Sequence, residues 1–320
     1  MMIRLMPIRV HWVWLALLLI GGGLAAGCDT TPGTAPPERQ VVVESYLIAQ
    51  EPLPPIRLSR TAPIEGQYDF TELAIRDAEV TVERLGADGD VAESYPYAEV
   101  PDSAGVYRPE AEAQVQPLAT YRLQVRTPES AAEAAQTVTA TTVVPDTFSV
   151  VRVENDPVVY QGEEQIAFAL TKSAYPTRDQ AFYLLTTEAL ELDEDQLTPL
   201  AAEFFENGSA TLDDLRLTSS PVLNEASYTQ NPDGTLTVRL PWIAVTFYGP
   251  NRSTTNAIDD NLYDFVRSQN AQQGGGGFSP GAIPNVIEHV DGGTGVFGSL
   301  ARQSRTIRIL RPSGASSSSE

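Results

Sequence analysis

Cys28 is the only cysteine in the chain, and it closes the segment Leu24-Ala25-Ala26-Gly27-Cys28. A thiol that follows small residues at the end of a signal-like segment is suited to lipid transfer, with cleavage just before it. The preceding residues fit that chemistry. Arg4 and Arg9 supply a positive start, Trp12 to Ile20 an apolar core, and Gly21 to Gly23 a break before the cleavage site. The core is short of the roughly 20 apolar residues that a spanning helix needs. Ala25 stands where the usual pattern prefers leucine, with Leu24 one position further out. The expectation is a signal at 1–27, a diacylglyceryl thioether on Cys28, and a chain held to a membrane of the cell envelope by that lipid.

Catalytic equipment beyond the anchor is sparse. After cleavage the only histidine is His289, between Glu288 and Asp291, and it reads as a solvated face residue. With Cys28 acylated, Cys/His zinc sites and Cys–His nucleophilic catalysis are excluded. No nucleophile-elbow pattern surrounds any serine. Carboxylate pairs of the kind glycoside hydrolysis uses occur by chance in so acidic a chain. Asp193-Glu194-Asp195, Asp213-Asp214 and Asp259-Asp260 offer oxygens to a Ca²⁺ ion, yet none has the twelve-residue helix–loop–helix spacing. They read as solvated loops, so no metal and no cofactor beyond the covalent lipid is expected. Gly292-Gly293-Thr294-Gly295 lacks the lysine and following helix of a phosphate loop; its glycines suit positive φ in a tight strand connection.

The formal charge is −21 over 320 residues, and removal of Arg4 and Arg9 leaves 19 basic against 42 acidic side chains. Such a surface argues against nucleic acid and against a polybasic membrane contact. Lys172 is the only lysine.

The elements that must carry these groups are mostly strands. Residues 28–39, rich in Pro and Thr, read as lipid attachment and tether. Val41 to Ala49 is β-branched and aromatic. Ala78, Val80 and Val82 alternate with polar residues, as do Tyr121, Leu123 and Val125, then Ile166, Phe168 and Leu170. Period-2 alternation between turns such as Gly86 to Asp90 and Asn231 to Gly234 predicts half-buried antiparallel sheets. Residues 181–187 read as a strand buried on both faces, and Ile243, Val245 and Phe247 as a further strand. The fold class expected is all-β, with two antiparallel sandwich-like (Ig/transthyretin-like) domains at 40–145 and 146–311 divided near Pro145. One short helix at 259–270 is expected, from Ile258, Leu262, Phe265 and Val266 on one stripe with Asp259 or Asp260 as cap. Residues 191–215 read as a long acidic surface excursion, 272–277 as a flexible loop, and 312–320 as a disordered tail.

Several landmarks together resemble one family. They are VVVESYLIAQEP from Val41, Ala78 to Val82, Gly105-Val106-Tyr107, Tyr121-Arg122-Leu123, Leu262-Tyr263-Asp264-Phe265, Pro284-Asn285-Val286, and Gly293 to Gly298. The chain is similar over roughly residues 40–300 to the Bacteroidota lipoproteins catalogued as domain of unknown function 4249. That resemblance implies a β-rich outer-membrane or surface lipoprotein beside a TonB-dependent receptor, and brings no catalytic residues. The function expected is therefore non-enzymatic binding or support of a partner. A structural or adhesive role and a carboxylate-dependent hydrolase are the alternatives. The contact residues expected are Asp193, Glu194, Asp195, Asp213 and Asp214 in the excursion and Phe278 in the loop at 272–281.

Overall fold

The structure is a computed structural model of the chain. It describes residues 39–62, 69–129, 134–224, 226–273, 287 and 289–313, with no side-chain placement for 269–273. The expected signal, Cys28, most of the expected tether, most of the loop expected at 272–281 with Phe278, and the end of the expected tail lie outside the described residues.

The first half supplies β1 (Val41–Ile48), β2 (Ile56–Arg60), β3 (Glu79–Leu85), β4 (Val91–Glu99), β5 (Val106–Pro109), β6 (Thr120–Arg126) and β7 (Thr137–Val143). The second supplies β8 (Val150–Glu154), β9 (Val158–Val159), β10 (Ala167–Leu170), β11 (Phe182–Ala189), β12 (Leu217–Ser219), β13 (Tyr228–Gln230), β14 (Leu236–Arg239), β15 (Gly249–Ile258), β16 (Val290–Asp291) and β17 (Thr294–Leu310). Among the described residues four helices accompany them: α1 (Phe70–Leu73), α2 (Pro199–Glu206), α3 (Leu212–Leu215) and α4 (Asp260–Gln273). The fold is all-β and sandwich-like. A four-stranded sheet, β13-β14-β10-β8, accompanies a main sheet of order β12-β11-β15-β17-β1-β2-β5-β4-β3-β6-β7-β16.

Alternation explains the first half directly. In β1 and β6 every second residue is buried, which places Val41, Val43 and Leu47, and Tyr121, Leu123 and Val125, in the core. The small sheet packs on the inner face of the main one through Tyr183 of β11, whose ring meets Phe148 and Tyr228 edge-on at 5.8 and 5.9 Å. A single apolar cluster runs from Val41 to Ile309 through both. Several tyrosines act as struts inside it. The Tyr107 hydroxyl donates to Ile75 O and accepts from Ala78 N, and burial pushes it up to about 12.

The main sheet crosses the boundary expected near Pro145. β17 pairs with β1 from Val42↔Thr294 to Ile48↔Leu300, and from Arg39 onward the chain forms one compact unit. The β1–β17 pair is parallel, as is β17–β9, in a fold otherwise expected to be antiparallel. At the far end of the path β16 pairs with β7, then turns through Gly292 and Gly293 into β17. Gly295 there has φ +101° and lies so close to β1 that a Cβ would sit 2.1 Å from Val43 O. The glycine run is thus a tight strand connection whose backbone must also touch a neighbour.

Three other expectations are corrected. Residues 191–215 are not merely a long acidic surface excursion: a 3-10 turn (Glu194–Gln196), α2 and α3 enclose a small core of Ala189, Leu197, Ala201, Leu215 and Phe247. Their apolar stripe is hard to read because Leu200 and Phe204 face solvent. Ile243 sits in a 3-10 turn (Trp242–Ala244) and Phe247 makes an isolated bridge to Leu197, so no strand forms until Gly249. β11 is buried on one face only, with Phe182, Leu184, Thr186 and Glu188 on the other.

α4 forms where the helix is expected, at 259–270, but continues to Gln273, so Gln272 and Gln273 are helical rather than the start of a loop. It covers part of the outer face of the main sheet. Leu262 packs with Ile258 and Val296, and Phe182 stacks on Tyr263 with ring centroids 4.0 Å apart. Gly298 permits that approach, since a Cβ there would lie 2.5 Å from Leu262 Cγ.

Candidate functional site

The outer face of β12, β11, β15 and β17 changes character along the strands. Cross-strand register places Phe182, Ile258 and Leu300 in one row and Leu184, Asn256 and Arg302 in the next. Thr186, Thr254 and Ser304 follow, then Leu217, Glu188, Arg252 and Thr306. The first row lies at the end covered by α4. Leu184 packs into the cluster under α4, and the other side chains of these rows except Thr306 floor an open groove of about 720 Å³, within the range of small-ligand sites.

Three arginines and two glutamates dominate the groove. Glu188 accepts from Arg252 Nη1 at 2.6 Å on one oxygen and from Arg216 Nη2 at 3.2 Å on the other. Arg302 meets Glu51 through two parallel hydrogen bonds of 2.7 Å, a bidentate fork. The side chains of Arg216 and Arg252 are each 51% exposed, so most of their donors still face water. Between the arginines, the Thr254 and Ser304 hydroxyls lie 2.8 Å apart. Asn256 donates its amide to Leu184 O and Thr254 O, which leaves its side-chain oxygen as an acceptor. β11, β15 and β17 are paired on both sides beneath the groove, so there it presents side chains, and the sheet edge is left to the short strand β12. The groove carries a local excess of one positive charge on a chain of −21.

A second polar centre lies at the start of α4. Asp259 is fully buried, and its Oδ1 accepts from Leu262 N at 2.9 Å, so it is the expected helix cap. Its Oδ2 is 2.5 Å from Thr142 Oγ1, which is 2.7 Å from Ser299 Oγ, which in turn reaches Val143 O at 2.9 Å. Burial pushes the Asp259 carboxyl up to about 6, against the opposing pull of these donors. With the carboxylate ionised, Thr142 donates to Asp259 and Ser299 to Val143 O, which leaves the Thr142–Ser299 contact without a proton; a proton on Asp259 would reverse the first bond and fill that contact.

The acidic residues singled out in the sequence do not converge on one site. Asp193 caps the 3-10 turn by accepting from Asp195 N at 3.0 Å. Asp214 forms a capping box with Thr211, whose hydrogen bonds hold its carboxyl below the usual range. Glu194 and Asp195 form the first turn behind Asp193, and Asp213 lies in the first turn of α3. Asp260 pairs with Arg178 at 2.8 Å. His289 is exposed, but Nε2 meets Asp264 Oδ2 of α4 at 2.8 Å, so it ties β16 to the helix. Among the described residues, no group of three or more His, Cys, Asp or Glu side chains could hold a metal ion. The groove residues were missed. Their only sequence signal is the outward alternation of Thr186, Glu188, Arg252, Thr254, Arg302 and Ser304, which any solvated sheet face shares.

No curated protein matches this chain. Among solved structures, Salmonella alpha-2-macroglobulin reacted with methylamine is similar at 11% identity and a TM-score of 0.23, over 84% of this chain and 15% of that one. Three N-terminal domains of the bacteriophage RB49 highly immunogenic outer capsid protein are similar at 9% identity and 0.22, over 86% and 71%. This chain thus spans only a small part of the macroglobulin. The family model described as domain of unknown function (DUF4249) matches residues 29–306, and the chain belongs to that family.

Proposed function

We propose that this protein is a lipid-anchored envelope protein that works by binding, through the groove on its main sheet, beside a TonB-dependent transport system of the outer membrane. The observation that carries the reading is the groove itself: an open polar concavity, floored by paired strands, whose charged side chains hold one another in ion pairs. Binding residues set on such a rigid scaffold need little ordering when a ligand arrives. The lipid on Cys28 and the tether behind it would concentrate that groove near other membrane proteins. No helix among the described residues is long and apolar enough to cross a membrane, so on this reading attachment falls to the lipid.

Cys28→Ala should accumulate as uncleaved precursor or as a soluble species; unchanged detergent partitioning and mass would reject the anchor. Tagged wild-type protein, extracted gently from its own outer membrane, should co-purify with a receptor. Recovery of the protein alone, with turnover of a glycan or peptide, would replace binding with an enzyme.

A further inference from the structure

We propose that the groove takes an acidic oligosaccharide, its carboxylate docked between Arg216 and Arg252 and its hydroxyls along the row of Thr186, Thr254 and Ser304. This rests on the binding reading above and names the ligand class for the same groove.

Charge locates the acidic end. Glu188 is shared by two guanidiniums, so that end of the groove keeps one uncompensated positive charge, whereas Arg302 and Glu51 neutralise each other. Arg252 and Arg216 present forked donors with free N–H groups, the geometry that carboxylates accept. Hydroxyls and amide oxygens locate the neutral part. The Thr254–Ser304 pair, the Asn256 side-chain oxygen and the Glu51 carboxylate offer mixed donors and acceptors, which complement vicinal diols. From Arg252 to Asn256, whose strand partner is Arg302, the strand advances about 13 Å, so the ligand must be an oligomer to touch both ends.

Other ligand classes fit less well. A peptide adding to a sheet needs a free strand edge; β11, β15 and β17 have spent their backbone groups on their neighbours, and the open edge beside the groove belongs to β12, which is only three residues long. Among the described residues of the lining Leu217 is the only apolar side chain and none is aromatic, so a planar or greasy ligand finds little there to rest on. A long polyanion such as nucleic acid would meet a chain of −21 outside one small positive end.

The test uses mature lipoprotein in detergent and titration calorimetry with two probes: a short oligogalacturonate, and the same oligomer with its carboxylates reduced to alcohols. The acidic probe should bind about tenfold tighter or better, with a preference that shrinks in high salt. Arg252→Ala and Arg216→Ala should each bring the acidic probe down to the level of the reduced one, with unchanged thermal unfolding. Arg252→Lys should fall between, since it keeps charge but loses the fork. Glu188→Gln should tighten the acidic probe, a gain that a merely structural role would not produce. Equal binding of both probes, no binding of either, or indifference to Arg252→Ala would overturn the assignment. If Arg252→Ala still co-purifies with a receptor, the partner reading stands without the glycan; if the acidic probe binds as described and no receptor is recovered, the ligand assignment stands without the partner.

Discussion

Asp259, just past the end of β15, and Glu188, within β11, are both carboxylates carried by the main sheet's strands, and their surroundings give them opposite roles. Asp259 is closed off beneath α4, and its hydrogen bonds go to Thr142, Leu262 and the helix backbone. Glu188 lies at the other end of the same outer face, its side chain 27% exposed between two arginines that are half in water. Desolvation dominates the first, so its interactions are strong and its charge is costly. Screening dominates the second, so its ion pairs add little stability and stay free to exchange partners with a ligand. Structural polar centres and binding centres can thus share one sheet, and depth separates them more than residue type does.

The largest effect should come from emptying the buried centre. Asp259→Ala removes the cap of α4 and orphans the Thr142 hydroxyl, and should cost about 3 kcal/mol in chemical denaturation. A loss below about 1 kcal/mol would mean that water already serves the site.

The next effect is pH dependence, and its sign separates the two carboxylates. Asp259 is held up to about 6 in the fold, above its unfolded value near 4. The native state therefore binds more protons in that interval. Its contribution is fully present below about pH 4 and is lost as pH rises through about 6, on the order of 3 kcal/mol in all. Asp259→Asn should flatten this slope, measured by denaturation midpoints across the interval. Carboxylates held low by hydrogen bonds, such as Asp214 and Asp233, act in the opposite direction at more acidic pH.

The smallest effect belongs to the groove. Glu188→Ala should change stability by about 1 kcal/mol or less, since its pairs are solvent-screened. Thr254→Val should stay within about 0.5 kcal/mol. A large loss from either would break the contrast and make the groove a structural network.

Much of the fold was legible locally. β1, β3 and β6 follow from alternation, α4 from the stripe Ile258–Leu262–Phe265–Val266, and its cap from Asp259. The glycines at 292–295 were legible as a tight connection because few other residues tolerate such φ values. The helices of 191–215 were not, since α2 and α3 are short and close a small core with Ala189 and Phe247 from outside the segment. The groove was not legible either. Glu188 and Arg252 lie 64 residues apart, and Glu51 and Arg302 lie 251 apart.

By itself the sequence determined the strand periods, the turns and the capped helix, because each depends on residues within a turn or two of one another, and the acidity, which is a sum over composition. Tertiary structure alone decided that β17 joins β1 in parallel and carries the main sheet across Pro145. It also decided which outward-facing residues share a groove and which carboxylate is sealed from water. Pairing partners and depth are properties of neighbours brought together from distant parts of the chain, and burial sets whether a charge is held fast or left available.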